Sequence, residues 1–172
     1  GNDALVGEGG DDLLDGGAGD DHLYGDWANW QMQAYANVGA KTGNDTLYGG
    51  DGNDQLMGNS DDDVLEGGRG DDRLYGDSFD GAGFSGEGDD VLVGGVGDDF
   101  LFGGDGEDTL TGGSGNDQLQ GGAGDDCYVI GTGDGQDTIS DSEGRNTLRV
   151  MVNKVDIETA CDGSSVVYLS AD

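Results

Sequence analysis

Proline is absent from this 172-residue chain, and six Lys and Arg stand against 38 Asp and Glu, a formal net charge of −32. Histidine occurs once, cysteine twice, and aromatic residues make up 7%. Each scarcity excludes something. A single histidine, His22, rules out an H-E-x-x-H metalloprotease helix. So negative a field repels phosphate, which excludes nucleic acid and disfavours anionic membrane surfaces. No apolar run approaches the roughly 18 residues that cross a bilayer, so no membrane span is expected, and no signal peptide is visible. No G-x-S-x-G occurs. Residues 81–86 fit G-x-G-x-x-G without a strand and helix around them, so they are not read as a nucleotide site. The chain is expected not to be an enzyme. Few aromatics with high net charge describe a chain that burial alone cannot order. Two states remain: a disordered acidic segment, or one domain whose fold needs counter-charge.

What is abundant is glycine, 39 residues, and aspartate, and their placement is regular. A nine-residue unit, G-G-x-G-x-D-x-U-x with U large and apolar, is complete at residues 16–24, 49–57, 67–75, 94–102, 103–111, 112–120 and 121–129. Composition alone gives roughly 0.1 chance matches. Near matches lie at residues 7–15 and 58–66, where Asn59 and Asp61 replace glycines and are expected to weaken the unit. Residues 27–42 and 78–87 interrupt two further units, which are expected to lose binding sites to these insertions. The repeats place a boundary near residue 140. The repeat region is residues 1–140, and a C-terminal strand cap, 141–172, has strands expected at residues 146–152 and 165–169. The chain opens inside a repeat and reads as a fragment of a larger protein.

The unit has a physical logic. Glycines at positions one, two and four permit positive φ and close backbone approach, so G-G-x-G-x-D is expected to be a tight turn with exposed carbonyls. The trailing x-U-x is a short strand with one residue inward. The inward set is Leu5, Leu14, Leu23, Leu47, Leu56, Leu65, Leu74, Leu92, Leu101, Leu110, Leu119, Tyr128 and Ile139. Repeated, turn and strand build an all-β solenoid of parallel strands with a slim core. One carboxylate per turn then stacks on its neighbours, and a cation must neutralise the column. Carboxylates and carbonyls without a His or Cys cluster select a hard cation, and irregular carbonyl-rich coordination favours Ca²⁺ over Mg²⁺.

At these residues the sequence resembles the RTX family of haemolysin-type calcium-binding nonapeptide repeats. The resemblance implies a right-handed parallel β-roll, two units per turn, with Ca²⁺ between stacked turns. The sixth-position aspartates it designates are Asp3, Asp12, Asp21, Asp45, Asp54, Asp63, Asp72, Asp90, Asp99, Asp108, Asp117, Asp126 and Asp137. Backbone carbonyls are expected from Gly16, Gly17, Gly49, Gly50, Gly67, Gly68, Gly94, Gly95, Gly103, Gly104, Gly112, Gly113, Gly121 and Gly122. About eight ions would bring −32 to about −16. The resemblance also implies an extracellular protein of a Gram-negative bacterium, its partner the type I export machinery, with a chain that folds on meeting Ca²⁺.

The insertions carry Trp27, Trp30 and Tyr35 in the first and Phe79 and Phe84 in the second. They read either as loops packed on the roll or as a platform for a glycan or cell-surface ligand. If units alternate sides, both insertions leave the same edge, and Val6, Tyr24, Met57, Tyr75 and Phe102 share one outward column. Cys127 and Cys161 are open to pairing or to two free thiols. His22 is expected to be exposed and solvated.

Overall fold

The structure is a computed structural model that describes residues 1–26, 43–77, 88–141, 143–152, 155–162 and 167–170. Because the repeat is odd in length and every unit carries its own turn, successive strands alternate between two facing sheets. The first sheet holds, in spatial order, β1 (Ala4–Glu8), β3 (His22–Asp26), β5 (Gln55–Asn59), β7 (Arg73–Asp77), β9 (Phe100–Asp105), β11 (Gln118–Ala123) and β13 (Gln136–Ile139). The second holds β2 (Leu13–Ala18), β4 (Thr46–Asp51), β6 (Val64–Arg69), β8 (Val91–Val96), β10 (Thr109–Ser114), β12 (Cys127–Ile130) and β14 (Arg145–Val152). All these pairings are parallel. Two antiparallel strands follow: β15 (Val155–Asp162) on β14 and β16 (Val167–Ser170) on β13. This is a parallel β-roll, and no helix occurs among the described residues.

Register is fixed by the apolar residue of each unit, since a slip of one would turn every leucine to solvent. In the first sheet Leu5, Leu23, Leu56, Leu74, Leu101, Leu119 and Ile139 stand opposite one another in succession. In the second the row is Leu14, Leu47, Leu65, Leu92, Leu110, Tyr128 and Leu148. Nine of these leucines, from Leu23 to Leu119, are almost wholly excluded from water, and only Leu5, on the first strand, is merely half-buried. The insertions leave the rows unbroken: Leu14 meets Leu47 and Leu65 meets Leu92.

The division of the unit into turn and strand differs from the sequence expectation. The first two glycines are not in the turn. β4, for example, reads Thr-Leu-Tyr-Gly-Gly-Asp, with Leu47 and Gly49 both buried. From β1 to β11 the strands therefore run five or six residues, and where they run six the turn shrinks to positions four to six. The parallel ladder also runs past residue 140. β14 pairs with β12 through Cys127 opposite Thr147 and Tyr128 opposite Leu148, as any earlier pair would. The expected strand at residues 146–152 is therefore a further rung of the roll, and β15 is a strand the sequence reading did not anticipate.

Val6, Tyr24, Met57, Tyr75 and Phe102 do form one column of the first sheet, exposed at Val6 and half-buried at Tyr24, Met57 and Tyr75, but Phe102 is buried, contrary to the expected outward position. His22 is exposed, as expected. Cys127 is a free, half-buried thiol. The backbone of Cys161 stands opposite Asn146, one residue off the row Cys127–Thr147–Ala160.

Leu92→Ala opens a cavity at the middle of the core, where Leu92 is 0% exposed. It is expected to cost about 2–5 kcal/mol in urea unfolding of the Ca²⁺-loaded chain. Leu13→Ala, at a side chain 73% exposed, is expected to cost under about 0.5 kcal/mol. Equal costs would refute the leucine rows as the core.

Candidate metal centres

Each turn carries its sixth-position aspartate inward along an edge of the roll. One edge stacks Asp3, Asp21, Asp54, Asp72, Asp99, Asp117 and Asp137, joined by backbone N–H donors to the next turn's Oδ1 at 2.6–3.1 Å. The other stacks Asp12, Asp45, Asp63, Asp90, Asp108 and Asp126 with bonds of 2.8–3.0 Å. It ends on Asn146, whose Oδ1 accepts from the Asp126 N–H at 2.9 Å. The aspartate carbonyls are used as well: Asp72 accepts from Phe100, Asp99 from Gln118 and Asp108 from Cys127. From Asp21 onward these side chains are almost wholly buried; Asp12 is half-buried and Asp3, on the first turn, exposed.

One atom of each is left over. The buried Oδ2 of Asp12, Asp21, Asp45, Asp54, Asp72, Asp90, Asp99, Asp108, Asp117, Asp126 and Asp137 has no hydrogen-bond partner. A buried anionic oxygen without a partner is costly, and a single chance orphan would be rare. Here the orphan recurs at the same atom in eleven units, on both edges.

Its surroundings recur too. A β-carbon on Gly94 would lie 2.4 Å from Asp99 Oδ2 and 2.6 Å from the carbonyl oxygen of Gly112 in the next turn. Gly16, Gly49, Gly67 and Gly103 face the same pair of groups, the aspartate of their own unit and a first-position glycine carbonyl one turn on. Around Gly112 and Gly121 the aspartate oxygen is again the nearest atom. The second-position glycines, Gly17, Gly50, Gly68, Gly95, Gly104, Gly113 and Gly122, all have positive φ. The carbonyls of Gly17, Gly50, Gly68, Gly95 and Gly104 face the second-position glycine of the next turn. The orphan oxygens and these carbonyls thus share the gaps between turns. Among the described residues no three His, Cys, Asp or Glu side chains cluster. The donor set is one carboxylate oxygen per turn with backbone carbonyls, which fits a hard, oxygen-seeking cation of flexible coordination.

Burial of the unneutralised carboxylates shows in their acidity. Loss of solvation pushes Asp72, Asp90, Asp117 and Asp126 up to about 7, Asp108 to about 8 and Asp99 to about 6. Neighbouring carboxylates push the same way, while the N–H bond from the preceding turn opposes the rise. Asp45, Asp54 and Asp137 are raised for the same leading reason.

At the three units expected to be weakened, the geometry of the column is kept. Asn59 and Asp61 adopt φ of 96° and 69°, so the backbone conformation of glycine is kept by the two residue types that best tolerate it. Asp63 still accepts from Asp45 N–H at 2.8 Å. Across the interrupted units, Asp45 and Asp90 accept from Asp12 and Asp63, both at 2.8 Å. A β-carbon on Gly25 or Gly76 would meet their Oδ2 atoms, with a glycine carbonyl beside each. The insertions therefore leave the column intact. Trp27, Trp30, Tyr35, Phe79 and Phe84 lie outside the described residues.

The sequence reading missed a second ladder at position five. There Asp98 N–H donates to Asp71 Oδ1 at 3.1 Å and Asn116 N–H to Asp98 Oδ1 at 2.8 Å. On the other edge Asp89 donates to Asp62 at 3.1 Å and Glu107 to Asp89 at 2.8 Å. These bonds run opposite to those of the sixth-position column. The signal was available, because position five is Asn or Asp in nearly every unit. Also missed was Asn146, legible in Gly144-Arg145-Asn146-Thr147-Leu148 as a unit with the acid neutralised.

Fold and column define a solenoid whose turns are joined by acids that need a metal. The chain belongs to the RTX calcium-binding nonapeptide repeat family, whose model matches residues 1–29, 40–65, 48–81, 84–119, 102–134 and 131–149. It is a calcium-binding module, built on a structural repeat and not on an enzyme family. Comparison with curated proteins finds none that matches.

Two outcomes follow. Asp99→Asn keeps the acceptor for Asp72 N–H, as Asn146 does for Asp126, and removes only the anionic oxygen. Calorimetry is expected to show about one ion fewer and a raised Ca²⁺ midpoint. An unchanged stoichiometry would remove Asp99 from the ligand set. For pH, folded-state values of about 6 to 8 exceed the ordinary 3.8, so the metal-free roll holds protons that the unfolded chain releases. Its stability is present below 3.8 and lost as pH rises through 6 to 8. Without Ca²⁺, strand signal is expected to grow as pH falls from 8 toward 4. Protons compete with Ca²⁺, so the Ca²⁺ midpoint is expected to rise as pH falls from 8 to 6. A midpoint independent of pH would contradict the buried-acid account.

Proposed function

We propose that this chain is a calcium-driven folding module of a larger protein, exported by a type I system and held outside a Gram-negative cell. The observation that carries the reading is the column of orphaned Oδ2 atoms. Where Ca²⁺ is scarce, the carboxylates repel one another and the slim core does not compensate, so the chain travels unfolded. Outside, where extracellular modules bind at about 10⁻⁴–10⁻³ M, ion binding supplies the folding energy. The sixth-position aspartates, with carbonyls of the first- and second-position glycines, hold the ions, about eight of them. Each ion offsets two formal charges and joins two turns. The role is non-catalytic, with residues 1–140 and the rung after them acting as one calcium-binding unit.

A second reading is favoured by one feature. β3 and β7, from whose ends the insertions leave, lie two strands apart in the same sheet. The strand ends from which the insertions leave are then on one edge, some 10 Å apart, and the aromatic composition of the insertions suits a glycan or a cell surface. Loss of a glycan-array signal on replacing Trp27 and Trp30 with Ala, with calcium-dependent folding unchanged, would support it.

Far-ultraviolet circular dichroism during a Ca²⁺ titration, with Mg²⁺ as control, tests the main reading. A cooperative change from coil to strand near millimolar Ca²⁺, without response to Mg²⁺, is expected. Full strand signal in EGTA at neutral pH would overturn the folding switch.

A further inference from the structure

A cavity of about 260 Å³ opens on the outer face of the first sheet, over β7, β9 and β11. Its apolar wall is Tyr75 and Phe100, neighbours across two strands, with ring centroids 5.9 Å apart and planes tilted by 49°. Its polar lining is Asp71, Asp98, Arg73 and Gln118, with Asp72 and Asp99 of the sixth-position column at its edge. Asp71 and Asp98 belong to the position-five ladder, which uses one oxygen of each: Asp71 Oδ1 accepts from Asp98 N–H, and Asp98 Oδ1 from both nitrogens of Asn116. These bonds fix the two carboxylates through Oδ1 and leave Oδ2 of each without a partner among the described residues. Among the described residues the Arg73 guanidinium, the Gln118 amide and the Tyr75 hydroxyl have no hydrogen-bond or ion-pair partner.

Fixed acceptors, free donors and an aromatic wall therefore converge on one small space, and their mixture selects among ligands. Anions are repelled by Asp71 and Asp98 and by the field of the whole chain. A simple cation meets the guanidinium of Arg73. A neutral polyol meets neither objection, since each hydroxyl both donates and accepts and is served by carboxylate, amide and guanidinium together. A sugar ring adds an apolar C–H face to set against Phe100 or Tyr75. At this volume, below the usual range of roughly 300–1,000 Å³, the occupant is a single ring. The combination is local. Along the same strand position the sheet offers Ala4, His22 and Gln55 before Arg73, and Thr138 after Gln118.

We propose that this cavity binds a neutral pyranose sugar, one residue at a time, on the face of the calcium-folded roll. The site borders the ion column at Asp72 and Asp99, and it rests on the roll being folded.

Saturation-transfer NMR and calorimetry on the Ca²⁺-loaded chain test it, with glucose, galactose, mannose and N-acetylglucosamine as neutral probes. Galacturonate and putrescine serve as the anionic and cationic controls. At least one neutral sugar is expected to bind with a millimolar dissociation constant, and neither control to bind as well. Phe100→Leu keeps a strand-compatible apolar residue and is expected to weaken binding about tenfold. Asp98→Asn, which preserves the ladder acceptor, and Arg73→Gln are each expected to weaken it as well, with the strand signal unchanged. No saturation transfer from any neutral sugar to a chain shown folded by circular dichroism would overturn the proposal, as would undiminished affinity in Phe100→Leu or preference for either control. Sugar binding by a chain already folded in EGTA would leave the cavity standing and remove the calcium switch instead.

Discussion

Like charges stacked at the spacing of β-strands govern this molecule. Parallel strands sit about 4.8 Å apart, and two unit charges at that distance repel by about 3–4 kcal/mol at an effective dielectric near 20. The roll repeats that penalty turn after turn on both edges, with carboxylates at about 1% exposure from Asp21 onward. Two devices in the structure answer it. Backbone N–H groups of the preceding turn point at Oδ1, which holds each carboxylate in place and favours its charged form. The second oxygen is left for a cation. Protonation is the only other relief, which is why burial makes these carboxyls weaker acids, Asp108 most of all.

The glycines follow from the same constraint. At the first position a side chain would occupy the space between Oδ2 and the next turn's carbonyl, so its absence keeps the gap open. At the second position the reason is different: Gly95 has φ of +118°, and a β-carbon would stand 2.2 Å from the carbonyl oxygen of Gly68. One glycine clears room for the ligand set, the other lets the turns approach. Unit 58–66 makes the distinction visible, because Gly58 is retained at the first position while Asn59 takes the second with positive φ.

Much of this was legible from spacing. The leucine rows, the alternation between sheets and the sixth-position column all follow from a nine-residue period with one apolar and one acidic position. What escaped had physical reasons. The period does not say where the turn ends, because glycine is equally at home in a tight turn and in a strand whose neighbour comes close; hence Gly49 and Gly50 were placed in the wrong element. Residues 58–66 seemed weak because glycine was equated with its conformation, which Asn59 and Asp61 also reach. The position-five ladder was hidden by chemistry already assigned, since acids beside a metal position read as further ligands or as solubilising charge. Asn146 was hidden by the search itself, which looked for carboxylates where the last rung requires an amide.

That last rung shows how a repeat of this kind stops. A column of carboxylates has no intrinsic end, because each aspartate offers the next turn an acceptor and asks for a cation. At the C-terminal end every repeating element receives a non-repeating partner. Asn146 accepts from Asp126 without bringing a charge, and its amide nitrogen donates to Glu143 at 2.8 Å. Arg145 closes the position-five ladder: its backbone N–H donates to Asp125 Oδ1 and its guanidinium lies 2.9 Å from Oδ2, and the two bonds, the backbone one foremost, hold that carboxyl below its ordinary range. In the leucine row Tyr128 replaces leucine; its hydroxyl accepts from Gly121 N–H and donates to Asp141. That hydroxyl lies beside Asp126 Oδ2 at Gly121, where earlier turns present a glycine carbonyl. The parallel ladders then end on antiparallel β15 and β16, which occupy the sheet edges that another rung would use. Charge, hydrogen bonding and sheet edge are thus terminated at one end by three local substitutions and two antiparallel strands, and the same interactions that make each turn depend on its neighbour make the final turn depend on them.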